Sequence, residues 1–319
     1  MAAGAVSLVA LALAATPWAG AWSTLFDWFA PAWPLAPLGA VAALLLARGR
    51  GLAAVVAVAA LAACLPTILA MPRAGGAGEG FRLRIVTHNV WVDNRDPGGT
   101  ATDLERSGAD IVLLQEVDGR FAGQLPRLRR AFPYANPCRT RCSLAILSRY
   151  PLERVRYRFR DAAGQQVGPG LLQTRVHLPG GAIVPLATIH LPRGAAPDVD
   201  AARRASLASA VELADRRALI LAGDFNLVPW SARLLWLDRA LAPLARATAA
   251  FSFPARVGRH AFPVPLAPID HLYAGPAWRI AAVRRLPRTG SDHYAIAVDL
   301  IWHGPKAMVI GPNNRRGTP

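Results

Sequence analysis

Lysine is almost missing from this chain. Of its 36 basic residues only Lys306 is a lysine, so the surplus of arginine reads as a composition bias and carries little weight as a recognition signal. Cysteine is scarce too, three in 319 residues, which excludes a disulfide-dense miniprotein. Charge is rarer still over the first 72 residues, where only Asp27, Arg48 and Arg50 occur. That stretch cannot clothe a soluble domain. It carries a net of +1, which leaves +15 of the chain's +16 to the remainder. A composition that is 53% apolar excludes a disordered polymer, and the length allows about two domains at roughly 150 residues each.

Three uncharged stretches, 1–26, 28–47 and 51–72, follow one another, each long enough to cross a hydrocarbon layer of about 30 Å. They predict a multi-pass membrane anchor of about three helices. The first lacks the positive leader of a cleaved signal peptide, although Ala14-Ala15-Thr16 and Trp18-Ala19-Gly20 resemble cleavage sites. Pro31, Pro34 and Pro37 crowd the start of the second, where a first helical turn tolerates them. Arg48 and Arg50 make the only basic loop between spans and place it in the cytoplasm. Trp18, Trp22, Trp28 and Trp33 then fall at the opposite, outer interface, and everything after 72 lies outside the cytoplasm of a cell inner or plasma membrane. Arg73, Arg82 and Arg84 argue the other way. Cys138 and Cys142, four apart, are either a short-loop disulfide of an oxidising compartment or two unrelated thiols. No second pair or nearby histidine completes a zinc site.

Residues 73–80 read as a glycine-rich linker, 81–302 as a catalytic domain and 303–319 as a loose tail. Within the domain, strands are expected over 82–90, 110–114, 143–148, 171–177, 182–190, 218–222, 269–274 and 294–301. Helices are expected over 100–107, 120–131, 198–216 and 231–241, the third capped by Asp198 or Asp200. Proline and glycine mark loops at 163–170 and 252–268. Such an alternation gives an α/β or α+β domain.

Several of these apolar strands end in an acid, an amide or an imidazole. Leu83, Ile85, Thr87 and Asn89 share one strand face, which ends in an amide. Ile111 to Gln115 deliver Glu116, whose burial calls for a cation or a hydrogen-bond partner. Ala187-Thr188-Ile189 ends in His190. In Gly223-Asp224-Phe225-Asn226 a permissive glycine precedes an acid and an amide aimed the same way. Ile269-Asp270-His271 and Ser291-Asp292-His293 complete the set. Each alone is an ordinary turn or surface residue; all of them together point to one polar site.

Thr-His-Asn-Val-Trp (87–91), Leu-Gln-Glu-Val (114–117), Ala-Ile-Leu-Ser-Arg-Tyr-Pro (145–151), Thr-Ile-His, Gly-Asp-Phe-Asn, Ile-Asp-His and Ser-Asp-His resemble, in order, the motifs of the endonuclease/exonuclease/phosphatase superfamily. That group contains deoxyribonuclease I, abasic-site endonucleases, inositol-polyphosphate 5-phosphatases and neutral sphingomyelinases. The resemblance implies a four-layer α/β/β/α sandwich of the deoxyribonuclease I-like type, here preceded by transmembrane helices. It implies hydrolysis of a phosphate ester with a divalent cation, Mg²⁺ or alternatively Mn²⁺, on Glu116, with Asn89 and Asp292 completing or supporting that site. Asp224 would orient or deprotonate the attacking water and Asn226 would hold the water or the phosphate. His190 would donate to a non-bridging oxygen, and His293, its ring fixed by Asp270, would contact the phosphate. His88, His271 and Arg149 receive no catalytic role.

The substrate is less determined, because fold and site specify a reaction class only. Helices followed by this domain resemble membrane-bound relatives linked to glycopeptide resistance, thought to dephosphorylate undecaprenyl pyrophosphate. The favoured partner is therefore a lipid-linked phosphate or pyrophosphate at the outer membrane face, kept near by the short linker. Nucleic acid is the alternative, since a basic domain suits any polyanion, although no basic run with interleaved aromatics marks a track. An inactive scaffold is the third reading.

Overall fold

The computed structural model describes residues 2–19, 30–47, 51–69, 75–76, 78–136, 142–160, 165–191, 197–212, 215–247 and 250–304. Helices α1 (Ala2–Ala14), α2 (Leu35–Ala47) and α3 (Gly51–Leu69) pack on one another through small residues, with Ala10, Ala14, Ala36, Ala40, Ala57 and Ala60 buried between them. Their outward faces are apolar, with Leu38, Leu45, Leu52 and Val55 exposed. Among the described residues only α3, at 19 residues, is long and apolar enough to cross a bilayer. α1 and α2 have 13 residues each, about 20 Å at 1.5 Å per residue, and a further helical turn, Thr16–Ala19, follows α1. Trp22, Trp28 and the loop Arg48–Arg50 lie outside the described residues, as do Cys138 and nearly all of the tail.

Among the described residues the remainder has fourteen strands: β1 (Arg82–Asn89), β2 (Ile111–Gln115), β3 (Tyr134–Ala135), β4 (Leu144–Ser148), β5 (Leu152–Arg160), β6 (Gln166–His177), β7 (Ile183–His190), β8 (Ile220–Asp224), β9 (Ala245–Arg246), β10 (Arg256–Val257), β11 (His260–Ala261), β12 (Asp270–Ala274), β13 (Trp278–Arg285) and β14 (Ile296–Trp302). Helices α4 (Pro97–Arg106), α5 (Pro197–Glu212) and α6 (Ala232–Ala240) join them. The strands make two six-stranded sheets, β13-β14-β1-β2-β4-β3 and β5-β6-β7-β8-β12-β9, and β10 and β11 form a separate hairpin.

Strand alternation sorts the core into layers. Ile85, Ile111 and Leu113 of the first sheet meet Leu172, Leu186, Ile220 and Leu272 of the second in one sheet-on-sheet core. Their neighbours Val86, Val112 and Leu114 face outward and are covered by Ala101 and Leu104 of α4 with Phe121 and Leu128. Ala187, Ile189 and Leu221 face outward on the other side, beneath Leu207 and Val211 of α5 and Leu234 and Leu237 of α6. The order is helix, sheet, sheet, helix, the expected sandwich.

The departures from expectation are at the edges. β5 reads Leu-Glu-Arg-Val-Arg-Tyr-Arg-Phe-Arg and β13 is also arginine-rich, so neither looks like a core strand. Both are edge strands, whose solvent-facing side takes charge without cost and resists edge-to-edge pairing. The expected loop at 163–170 belongs in part to β6, where Pro169 is tolerated beside a register shift in the pairing with β5. The expected helix at 120–131 shrinks to a 3₁₀ turn and a single helical turn, Leu125–Leu128, which contains Pro126. α4 starts early because Asp96 caps it, accepting from the Gly99 N–H at 2.8 Å, with Pro97 in the first turn. α5 begins at Pro197, one residue ahead of the expected start, so Asp198 and Asp200 fall in its first turn.

Candidate active site

The two central parallel pairs bring the polar strand ends to one edge. β1 runs parallel to β2 with Asn89 opposite Gln115, and β7 runs parallel to β8 with His190 opposite Asp224. β12 is antiparallel to β8 and sets Asp270 opposite Asp224. Gly223 makes the approach possible. A Cβ there would lie 2.0 Å from the Ile189 carbonyl oxygen. Between the sheets, Gln115 Nε2 donates to Thr87 Oγ1 at 3.3 Å and Thr188 Oγ1 at 2.9 Å, pinning β1, β2 and β7 together just below the site.

Asn89 is the hub. Its Nδ2 donates to Glu116 Oε1 at 2.9 Å and to Asp224 Oδ2 at 3.0 Å, and its Oδ1 accepts the Trp91 N–H at 3.0 Å. A neutral amide thus holds two carboxylates in one cleft. Glu116 Oε2 accepts the Val92 N–H at 3.0 Å. His190 Nε2 stands 3.6 Å from Glu116 Oε1 and 3.7 Å from Asp224 Oδ2. Trp91, Glu116 and Asn226 have φ of 60°, 57° and 51°, a left-handed conformation that costs a non-glycine residue about 1–3 kcal/mol and clusters at functional sites.

Beneath lies a buried acid–imidazole pair. His293 Nδ1 donates to Asp270 Oδ2 at 2.8 Å, and its Nε2 stands 3.8 Å from Asp224 Oδ2. Burial disfavours the charged ring, but the carboxylates of Asp270, Asp224 and Asp292, with the hydrogen bond to Asp270, outweigh it and raise the imidazole to about 9. Asp292 therefore sits near the site through its neighbour His293. Asn226 Nδ2 donates to Leu191 O at 2.7 Å and Asp224 Oδ2 at 3.2 Å, so its amide N–H groups face protein. His88 and His271 are different. Burial pushes both down to about 3, and each Nε2 donates to a backbone carbonyl, of His293 and Leu227 respectively.

Several supporting residues received no role from the sequence, Ser291 among them although it opens the Ser-Asp-His motif. Ser291 Oγ donates to Asn89 O at 2.7 Å and accepts the His293 N–H at 3.0 Å, tying the two ends of the domain at the site. Ser252 Oγ accepts the Asp270 N–H at 3.4 Å, and the Phe253 ring lies 5.0 Å from that of His293. Both come from a proline-rich segment that reads only as a loop. Trp230 is the other, found only by its packing on Trp33 of the N-terminal segment at 5.2 Å between ring centroids.

Ligand atoms of Asp224, Asp270 and His293 lie within 4.8 Å of one another, close enough to hold a cation. His293 Nδ1 is already engaged by Asp270, however, and a protonated ring repels a metal. The donor set at Glu116 and Asp224, carboxylate oxygens steadied by a neutral amide, suits a hard divalent ion better, and Glu116 is a quarter exposed to the cleft.

The sequence profile of the "Endonuclease/Exonuclease/phosphatase family" matches residues 86–293, which bound the site from β1 to His293. The chain belongs to this family. A member of the same family from Beutenbergia cavernae superposes with a TM-score of 0.56 at 22% identity, over 70% of this chain and 72% of that one. TDP2 of D. rerio, solved with a single-strand DNA product, gives 0.52 at 16% identity over 69% and 98%. The human Nocturnin catalytic domain, solved with a bound sulfate anion, gives 0.52 at 15% over 70% and 96%. At these identities the likeness is one of fold. No curated protein matches the chain.

Proposed function

We propose that this family member is a divalent-metal-dependent phosphoester hydrolase, anchored in a membrane and acting on a lipid-linked phosphate or pyrophosphate at its outer face. The observation that carries the hydrolase reading is the convergence of Asn89, Glu116, His190, Asp224 and the Asp270–His293 pair on one cleft edge. A cation held by Glu116, with Asp224 and Asp292 near, would neutralise charge on the phosphoryl oxygens and the leaving oxygen. Asp224, buried and aligned by Asn89 and Asn226, orients the attacking water and takes its proton. Asn226 acts through Asp224, because its amide is spent on the protein. His190 and the protonated His293 donate to non-bridging oxygens, where charge grows in the transition state.

Three features support the membrane setting. α1 to α3 expose apolar faces, α3 has spanning length, and the end of this bundle packs against the site's own loops. Cys142 is disulfide-bonded, which fits an oxidising compartment outside the cytoplasm. The second reading, a surface nuclease, is favoured by the positive charge of the domain, which attracts any polyanion, anionic headgroups included. The convergence of Asn89, Glu116, His190, Asp224 and the Asp270–His293 pair speaks against an inactive scaffold. Detergent-solubilised protein assayed on undecaprenyl pyrophosphate, sphingomyelin and plasmid DNA, with Mg²⁺ and after EDTA, separates the three. Phosphate release from the prenyl carrier supports the lipid reading, preferential nicking of plasmid the nuclease, and inertness toward all three the scaffold.

A further inference from the structure

We infer that the segment 251–267 is a lipid-seating surface that lies on the bilayer interface and holds the mouth of the active site against it; this rests on the membrane reading above. The first observation is where the exposed apolar groups are. Beyond residue 80, nine large hydrophobic side chains are exposed among the described residues, and four of them, Phe251, Val257, Val264 and Leu266, fall within this one stretch. Exposed apolar groups gathered in one stretch of an otherwise charged domain mark a surface that meets something. The second is charge. The segment contains Arg256, Arg259 and His260 and no acid at all. Apolar tips flanked by cations match the chemistry of an anionic headgroup layer over acyl chains.

The third observation is continuity, and it selects the bilayer over a protein partner. Phe253 and Ala267, which pair across the base of the segment, pack on the same cluster that joins Trp33 and Ala36 of the N-terminal segment to Val228, Trp230 and Ile269 of the domain. Trp230 also donates its indole N–H to the Ala30 carbonyl. The segment is therefore fastened beside the end of the helical bundle from which the domain departs, at the depth where an interface lies. The same segment is fastened to the site. The Ala255 N–H donates to Asp292 O at 2.6 Å, Ser252 O accepts the Tyr294 N–H at 2.8 Å, and Phe253 covers His293. Lipid contact, anchor and catalytic loop share one rigid base, so a headgroup phosphate reaches the cleft without leaving the membrane surface.

The test uses the full chain in phosphatidylglycerol–phosphatidylcholine vesicles, on a Cys64→Ala background with the Cys142 disulfide intact. Val264→Cys and Leu266→Cys are labelled with an environment-sensitive fluorophore. Ile183→Cys serves as control, since it too is exposed but begins the strand that His190 ends, roughly 20 Å from that end at 3.3 Å per residue. Labels at 264 and 266 should shift to the blue and be quenched at least threefold more by nitroxide lipids than the label at 183. A second readout is the Val264→Asp, Leu266→Asp double variant, which should lose tenfold or more in hydrolysis of a lipid-borne phosphate while keeping hydrolysis of a soluble phosphodiester. A chain that floats with vesicles yet quenches equally at 264 and 183 overturns the proposal and leaves the anchor standing. A chain that fails to float overturns both. Quenching does not depend on activity, so absence of hydrolysis would sink the enzymatic reading alone.

Discussion

Replacing Asp270 with asparagine keeps the shape of the buried pair and removes its charge. In the native protein the carboxylates hold His293 at about 9 against burial, which by itself pulls the ring below its ordinary 6.5. Without the Asp270 charge, burial and the asparagine dipole are opposed only by the more distant Asp224 and Asp292, and the imidazole should fall to about 6.5 or lower. The difference corresponds to about 3 kcal/mol of preference for the imidazolium, at about 1.4 kcal/mol per pH unit. At pH 8 a group of pKa 9 is about nine-tenths protonated and one of pKa 6.5 about 3%, so the active form drops about 30-fold. The assay is kcat/KM against pH together with the NMR titration of His293 in detergent. The native profile should lose activity on a basic limb near 9, and the Asp270→Asn profile near or below 6.5. Stability follows the same sign. A folded-state value raised above that of the unfolded chain contributes fully below about pH 6.5 and is lost as pH climbs through 9, so the native protein should soften over that interval and the variant should not. A variant whose His293 still titrates near 9 would refute the reasoning.

Glu116→Ala should lower activity by about a thousandfold, the several kcal/mol expected for losing a cation's stabilisation of the transition state, with circular dichroism unchanged; EDTA should do the same to the native enzyme and added Mg²⁺ reverse it. Gly223→Ala must move β8 off β7, because its new Cβ would collide with the Ile189 carbonyl; a loss of about 1–3 kcal/mol in chemical denaturation and near-complete loss of activity are expected. Trp230→Ala removes a buried side chain 2% exposed, should cost about 3–5 kcal/mol, and should loosen the loop after Asn226, read as faster amide exchange over 226–231. Trp230→Phe, which keeps a six-membered aromatic ring but loses the pyrrole half with its N–H, should recover part of that stability.

The strands that carry the site were legible because each is an apolar run ended by a polar group, and burial on both faces leaves no room for other residue types. β1, β2, β4, β7, β8, β12 and β14 lie within a residue or two of their expected positions. Their motifs were legible for the same reason, since an acid or imidazole directly after such a run is costly unless something receives it. The arginine-bearing edge strands β5 and β13 were not, because the solvent face of an edge accepts charge and erases the hydrophobic pattern.

What the residues alone determined is a local matter: which segments are apolar on both faces, where each ends, and which polar atom stands at the end. Alternation and burial act over a few positions, so they are written into the chain itself. What only the tertiary structure decided is which of those ends meet. The register that sets His190 and Asp270 beside Asp224, the Asn89 amide between two carboxylates, and the seat of Trp230 on Trp33 join positions up to two hundred residues apart. No local periodicity encodes such pairings, because they depend on how two sheets and a helical bundle pack once each has formed.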